Sequence, residues 1–196
     1  QALDETKNNY LMGIVYLADR MGVSVADITT GDFLVTEVST DRALFDEINK
    51  FSPAEVICND AFSMSGISLE DLKDRYHFTV STLDSHFFQD ESCRKVLREH
   101  FKVGSLEGLG LGDYDCGVIA AGAVLQYLYE TQKSTLDHLT TIVPYATGNY
   151  MVLDSSTRRN LELLETMREK QKRGSLLWVL DKTRTAMGAR LLRTWI

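Results

Sequence analysis

Between residues 10 and 39 three apolar runs, "YLMGIVYLAD", "VSVADITT" and "FLVTEVS", follow one another with only short turn signals between them, at Arg20-Met21-Gly22 and Gly31-Asp32. Parallel neighbours need a crossover of a dozen or more residues, so connections this short predict an antiparallel meander. In the first run Met12, Ile14 and Tyr16 point one way and Leu11, Val15 and Leu17 the other. Apolar residues on both sides predict a central strand covered on both faces.

The pattern then changes to helix and strand in alternation. Thr40 and Asp41 cap a helix whose Leu44, Phe45, Ile48 and Phe51 follow the three-four spacing, with Pro53 enforcing its end. "AEVIC" supplies a fourth strand. Ser68 with Asp71 resembles a capping box for a helix burying Leu69, Leu72 and Tyr76, and "HFTVSTL" makes a fifth strand. A further helix from about Asp90 buries Cys93, Val96, Leu97 and Phe101 and turns Arg94, Lys95 and Arg98 to water. A meander followed by two helix–strand units is the element order of the ribonuclease H-like fold, a mixed sheet with helices on its faces, although several α/β folds remain compatible.

This first domain is expected to span residues 1–106 and to end in "GSLEGLGLGDYD", where glycines and acids cluster like a linker. Residues 107–196 read as helical. Asp113 or Asp115 starts a helix with Val118, Ala121, Gly122, Leu125 and Leu128 on one face, small residues permitting close approach to a neighbour. "TIVPYATGNYMVL" interrupts with short extended segments. Asp154, Ser155 or Ser156 then caps a helix striped by Leu161, Leu164 and Met167, and Thr183 or Thr185 begins the last one.

Lys and Arg total 21 against 28 Asp and Glu, a net charge of −7, which argues against a free-standing module that wraps a phosphate backbone. The charge is unevenly spread: from Asp154 onward there are ten basic and five acidic residues, against eleven and twenty-three before it. Cys58, Cys93 and Cys116 lie far apart and read as reduced core thiols. No apolar stretch is long enough to span a bilayer, and no targeting pattern opens the chain. Gln1 and the apolar ending "LLRTWI", with no Gly, Asn or Pro to stop its helix, predict a piece of a longer chain.

A ribonuclease H-like sheet raises divalent-metal nuclease chemistry as an alternative function, which needs carboxylates converging on strand ends. Asp19, Asp27 and Asp60 are the candidates, but Gly13, Ile14 and Val15 occupy the middle of the first strand, where a ligand carboxylate is needed. "GLGLGD" at 108–113 lacks a preceding strand and the Lys-Ser/Thr ending of a phosphate loop, and so reads as a connector. The histidines at 77, 86, 100 and 138 are scattered, without metal-ligand spacing. Arg158 and Arg159 stand near a helix N-terminus, where the dipole disfavours them; Glu162 is within pairing reach of either.

Two segments carry a family resemblance. "MVLDSSTRRNLELLETMREKQKRGSLLWVLDKTRTAMGARLLRTWI" resembles the opening of the core domain of MutS, the DNA mismatch-recognition ATPase, and "NNYLMGIVYLADRMGVSVADITTGDF" resembles the beginning of its connector domain. The most specific markers are Thr157-Arg158-Arg159-Asn160-Leu161-Glu162 and Thr185-Ala186-Met187-Gly188 followed by Arg190-Leu191-Leu192. The resemblance implies an α/β ribonuclease H-like connector at 1–106 followed by the truncated all-α core (lever) domain at 107–196. It implies a non-catalytic relay between mismatch-binding and ATPase domains, with no catalytic, cofactor or metal residue in this segment. It also implies a docking surface for MutL at Arg94, Lys95, Val96 and Arg98. Arg158, Arg159, Asn160, Glu162, Met187, Leu191 and Trp195 are assigned to an interdomain junction, with DNA contact by the two arginines the lesser reading. Full-length members are cytoplasmic homodimers that use ATP and Mg in a P-loop domain and grip mismatched double-stranded DNA through other domains.

Overall fold

The three apolar runs form the expected meander: β1 (Leu11–Leu17), β2 (Arg20–Asp27) and β3 (Asp32–Val38). The computed structural model describes residues 9–147. β2 pairs antiparallel with β1 from Leu11↔Ala26 to Leu17↔Arg20, and with β3 from Met21↔Val38 to Asp27↔Asp32. The first turn differs from the expectation. It consists of Ala18 and Asp19, with Ala18 at φ 61°, and Arg20-Met21-Gly22 already belong to β2. Gly22 is there for space, since a Cβ at that position would lie 2.0 Å from the carbonyl oxygen of Cys116.

β4 (Glu55–Cys58) lies parallel to β1, β5 (Thr79–Thr82) parallel to β4, and β6 (Val143–Pro144) parallel to β3. The result is one mixed six-stranded sheet in the order β5-β4-β1-β2-β3-β6. As the double apolar pattern of β1 requires, both faces are covered. Met12 and Ile14 join one core with Leu44, Ile48 and Phe51; Leu11 joins another with Leu97, Val118 and Val124, and Val15 packs beside it on Cys93 and Ala120.

On the first face the helices are set by their own neighbours in sequence. α1 (Asp41–Phe51) starts where Thr40 Oγ1 accepts the Ala43 N–H at 3.0 Å, and it stops at Ser52, at φ 46°, just before Pro53. α2 (Asp60–Ser63) was not anticipated. Asn59 Oδ1 accepts from Phe62 N at 3.2 Å and from Tyr16 N at 3.0 Å, tying this short helix to the end of β1. α3 (Glu70–Tyr76) follows, but the expected reciprocal box of Ser68 and Asp71 is replaced by Ser68 Oγ accepting the Glu70 N–H at 3.3 Å, with Leu69 at the cap position.

The opposite face carries α4 (Asp90–Phe101) and α5 (Cys116–Thr131). α5 is buried at every residue from Cys116 to Leu125 and again at Leu128, as a helix apolar all round must be. It was expected to open a separate helical domain beyond residue 106. Instead it lies across β1, β2 and β3 and against α4, because an all-apolar helix has to be covered and the sheet offers it a floor of glycines. Residues 104–112 are no open linker either: they contain a 3-10 turn at Leu106–Leu109, and Leu106 and Leu111 are buried. The sheet unit therefore continues through β6, and the chain divides into Gln1–Val152 and Leu153–Ile196 rather than near 106. The helices expected from Asp154 and from Thr183 lie outside the described residues.

Candidate functional site

All four residues expected to dock a partner lie on α4. Cys93 and Leu97 face inward, wholly buried, and Val96 is half-buried against the same core as Leu97, so it offers little to a partner. Arg94 Nε lies 3.0 Å from both carboxylate oxygens of Asp90, and its guanidinium stands 3.8 Å from Asp115. Lys95 is exposed with Nζ 4.0 Å from Glu99, and Arg98 is half-buried one turn beyond Arg94. Exposed pairs of this kind are worth about 0–1 kcal/mol, so these cations can change partners at little cost.

The seat of α4 is rigid. A Cβ at Gly122 would lie 2.3 Å from the Cβ of Cys93, so the α4 and α5 backbones approach to a distance only glycine allows. The Cys93 thiol donates to the carbonyls of Phe87 at 3.2 Å and Ile119 at 3.5 Å. Burial, with the Asp90 charge adding to it, pushes that thiol up to about 12, against smaller opposing effects of Gln126 and Arg94. Cys93 is thus a neutral hydrogen-bond donor in a packed seam.

The start of α5 is held from far away. Asp115 makes no side-chain cap; instead Glu37 on β3 accepts the N–H groups of Asp115 at 2.7 Å and Gly117 at 2.9 Å on one oxygen, and Arg20 at 2.9 Å on the other. A carboxylate at a helix N-terminus satisfies orphan donors and complements the dipole. Burial first and Glu37 second push the neighbouring Cys116 thiol up to about 12. Sequence reasoning missed Glu37, because the α5 N–H groups it accepts are about eighty residues away and no local motif links them.

A second missed group surrounds α1. Lys50 Nζ lies 3.2 Å from Glu47 and both side chains are buried. The sequence signal was available: Glu47 falls three residues after Leu44, inside the apolar stripe.

The acids proposed for metal chemistry do not come together. Asp27 is buried and accepts the backbone N–H of Asn9 at 2.8 Å, that of Thr29 at 2.9 Å, and the Thr29 hydroxyl at 2.6 Å, which makes it the brace of the β2–β3 turn. Asp19 is exposed in the β1–β2 turn and Asp60 is exposed at the start of α2. Among the described residues no group of three His, Cys, Asp or Glu is placed to hold a metal ion. "GLGLGD" follows α4 rather than a strand, and Gly110, at φ 79°, packs against the ring of Pro144. His100 is a brace: Nε2 donates to the Leu139 carbonyl at 2.7 Å, and Nδ1 meets the Tyr129 hydroxyl at 2.6 Å. A cavity of about 190 Å³ is lined by Asn9, Leu11, Glu55, Tyr127 and Gln132, below the roughly 300 Å³ at which ligand pockets usually begin. Within it Tyr127 donates to Glu55, and that hydrogen bond, with burial, pushes the phenol up to about 12.

No described helix is long and apolar enough to cross a membrane. Arg158, Arg159, Asn160, Glu162, Met187, Leu191 and Trp195 lie outside the described residues.

Comparison with known proteins completes the picture. Residues 9–140 match the family model for MutS domain II, and residues 156–196 match that for MutS domain III. The chain is 61% identical over 196 residues to the DNA mismatch repair protein MutS of Lachnoclostridium phytofermentans, covering all of the chain and 21% of that relative. It is 46% identical to the protein of the same name from Ruminiclostridium cellulolyticum and 45% to that from Acetivibrio thermocellus, in each case over 99% of the chain and 22% of the relative. The chain thus spans about a fifth of the length of the curated relatives it matches.

Proposed function

Because the chain belongs to the MutS family of DNA mismatch repair proteins, we propose that it is the non-catalytic connector of such a protein together with the opening of its helical core. The observation that carries this reading is that the domain II match, residues 9–140, takes in every strand of the sheet except β6, while the one buried candidate acid, Asp27, serves as a turn brace. The strand order β3-β2-β1-β4-β5, a meander flanked by two parallel strands, supports a ribonuclease H-like connector with β6 added at one edge. The nuclease alternative gains nothing from Asp19, Asp27 and Asp60, which point to separate structural or solvent roles.

In this reading the whole protein is a cytoplasmic homodimer that binds mismatched double-stranded DNA and uses ATP and Mg in parts outside this chain. The sheet unit passes changes between those parts and docks MutL on α4. Arg94, Lys95 and Arg98 form the docking face, and Val96 supports it from beneath. The experiment is a pull-down of MutL in the ATP-bound state of the full-length protein, comparing the parent with Arg94, Lys95 and Arg98 all reversed to glutamate. Loss of capture is expected. Equal capture by both removes α4 from the docking surface.

A further inference from the structure

We infer that the buried side chains around Lys50 form a latch between the two ends of the sheet unit, tying the segment that leads into β1 to the segment that leaves β6. Tyr10 stands immediately before β1 and Tyr145 immediately after β6. β6 is a poor strand by itself. It pairs over two residues, Leu34↔Val143 and Val35↔Pro144, and a proline has no N–H to give to the ladder. Tyr145 supplies what the ladder lacks: its N–H donates to Val35 at 3.0 Å and its carbonyl accepts the Thr36 hydroxyl at 2.7 Å. The Tyr145 hydroxyl donates to Glu47, and Lys50 Nζ lies 5.0 Å from its ring centre.

The same lysine reaches the other end. Its Nζ is 5.5 Å from the ring centre of Phe51, and Phe51 meets Tyr10 edge to face at 5.2 Å and Tyr145 at 6.1 Å. Tyr10 donates to Asp32 at 3.0 Å, and its carbonyl accepts the Ala54 N–H at 2.9 Å. Tyr10, Asp32, Glu47, Lys50, Phe51 and Tyr145 are all buried, none more than 7% exposed. Well-packed apolar residues would fill this space as stably as a buried ion pair, so packing alone does not call for the charges. What the polar groups add is directional coupling, because a shift of Tyr145 strains the hydrogen bond of its hydroxyl to Glu47, the same carboxylate that lies 3.2 Å from Lys50 Nζ. Displacement of Tyr145 is therefore felt by Glu47 and Lys50, and through Phe51 by Tyr10. That the latch transmits motion between flanking domains rests on the connector reading; the coupling of the two ends does not.

The test is residue-resolved amide hydrogen exchange on the whole chain, read at the Tyr145 amide and at the Ala54 amide, with the Leu83 amide at the far edge of the sheet as reference. Tyr145→Phe removes the donor to Glu47 while keeping the ring. Exchange is expected to rise about tenfold at Tyr145 and at Ala54 alike, the scale of one buried hydrogen bond, and to stay unchanged at Leu83. Tyr10→Phe, which cuts the bond to Asp32, is expected to produce the same pair of changes from the opposite end. Faster exchange only at the substituted end overturns the latch. If Tyr145→Phe unfolds the chain, with Leu83 exchanging as fast as the rest, the milder Tyr10→Phe decides by the same criterion. The outcome is independent of the MutL pull-down, so either can fail without the other.

Discussion

The two faces of the sheet are built by different rules. On the face of α1, α2 and α3, caps such as Thr40 and Asn59 sit next to the helices they start, and side chains of ordinary size fill the gap to the strands. On the face of α4 and α5, close approach of the main chain replaces side-chain filling: Gly22 of the sheet faces the Cys116–Gly117 peptide, Gly122 of α5 faces the Cα and Cβ of Cys93, and the cap of α5 comes from β3. The first arrangement tolerates repacking, since side chains can change rotamer. The second does not, because a peptide group cannot move aside without moving its helix. The proposed docking helix rests on the unforgiving face, which keeps its orientation tied to the sheet.

Substitution tests this contrast most severely at Gly22→Ala. The new methyl would need the space of the Cys116 carbonyl, so α5 must lift, at a cost of about 3 kcal/mol or more in chemical denaturation. A cost under about 1 kcal/mol would show that α5 is not held by close approach. Gly13→Ala is gentler because the obstacle at 2.6 Å is the Val124 side chain; Val124→Ala added to it should recover part of the loss, a compensation Gly22→Ala cannot find in any side chain.

Alkaline titration probes the same face. Cys93 and Cys116 titrate near 12 in the folded chain against an ordinary value of 9.0, and Tyr127 near 12 against 10.0. Raised folded values mean that their contribution is whole below pH 9 and is lost as the pH climbs toward 12, because the unfolded thiols ionise first. Stability measured by denaturant midpoint should fall across that window, and the fall should be shallower in the Cys93→Ala, Cys116→Ala double variant. An equal slope in both proteins would assign the alkaline loss elsewhere.

Glu37→Ala removes the remote cap and leaves two N–H groups of α5 without their acceptor, for an expected loss of about 2 kcal/mol. Thr40→Ala on the other face should lose about 1 kcal/mol, the ordinary value of a local cap. If the local cap proved the costlier of the two, the distinction between the faces would fail.

Much of this architecture was legible in residue order. The meander, the central place of β1, the start and stop of α1, the strands β4 and β5 and the buried side of α4 all follow from periodicity and neighbouring caps, which act over a few residues. The course of α5 was not, although the helix itself was. Its small residues announced close approach without saying to what, and the glycines that receive it, at 13 and 22, precede it by about a hundred residues. Gly22 looked like a turn residue for that reason. The candidate site divides in the same way: Lys95 is exposed and Val96 turns toward the core as their helix positions predict, whereas the engagement of Arg94 with Asp115 depends on where α5 begins.

What the amino-acid order determined by itself is the set of elements and the alternation of their faces, because backbone sterics, capping and apolar spacing are local. The family membership was readable there too, in motifs that survive as contiguous strings. Only the tertiary structure decided that the sheet unit runs through β6 instead of ending near 106, that Glu37 starts α5, and that Phe51, beside Lys50, meets both Tyr10 and Tyr145. Each of these is a contact between distant residues, and such contacts exist only once the chain has closed on itself.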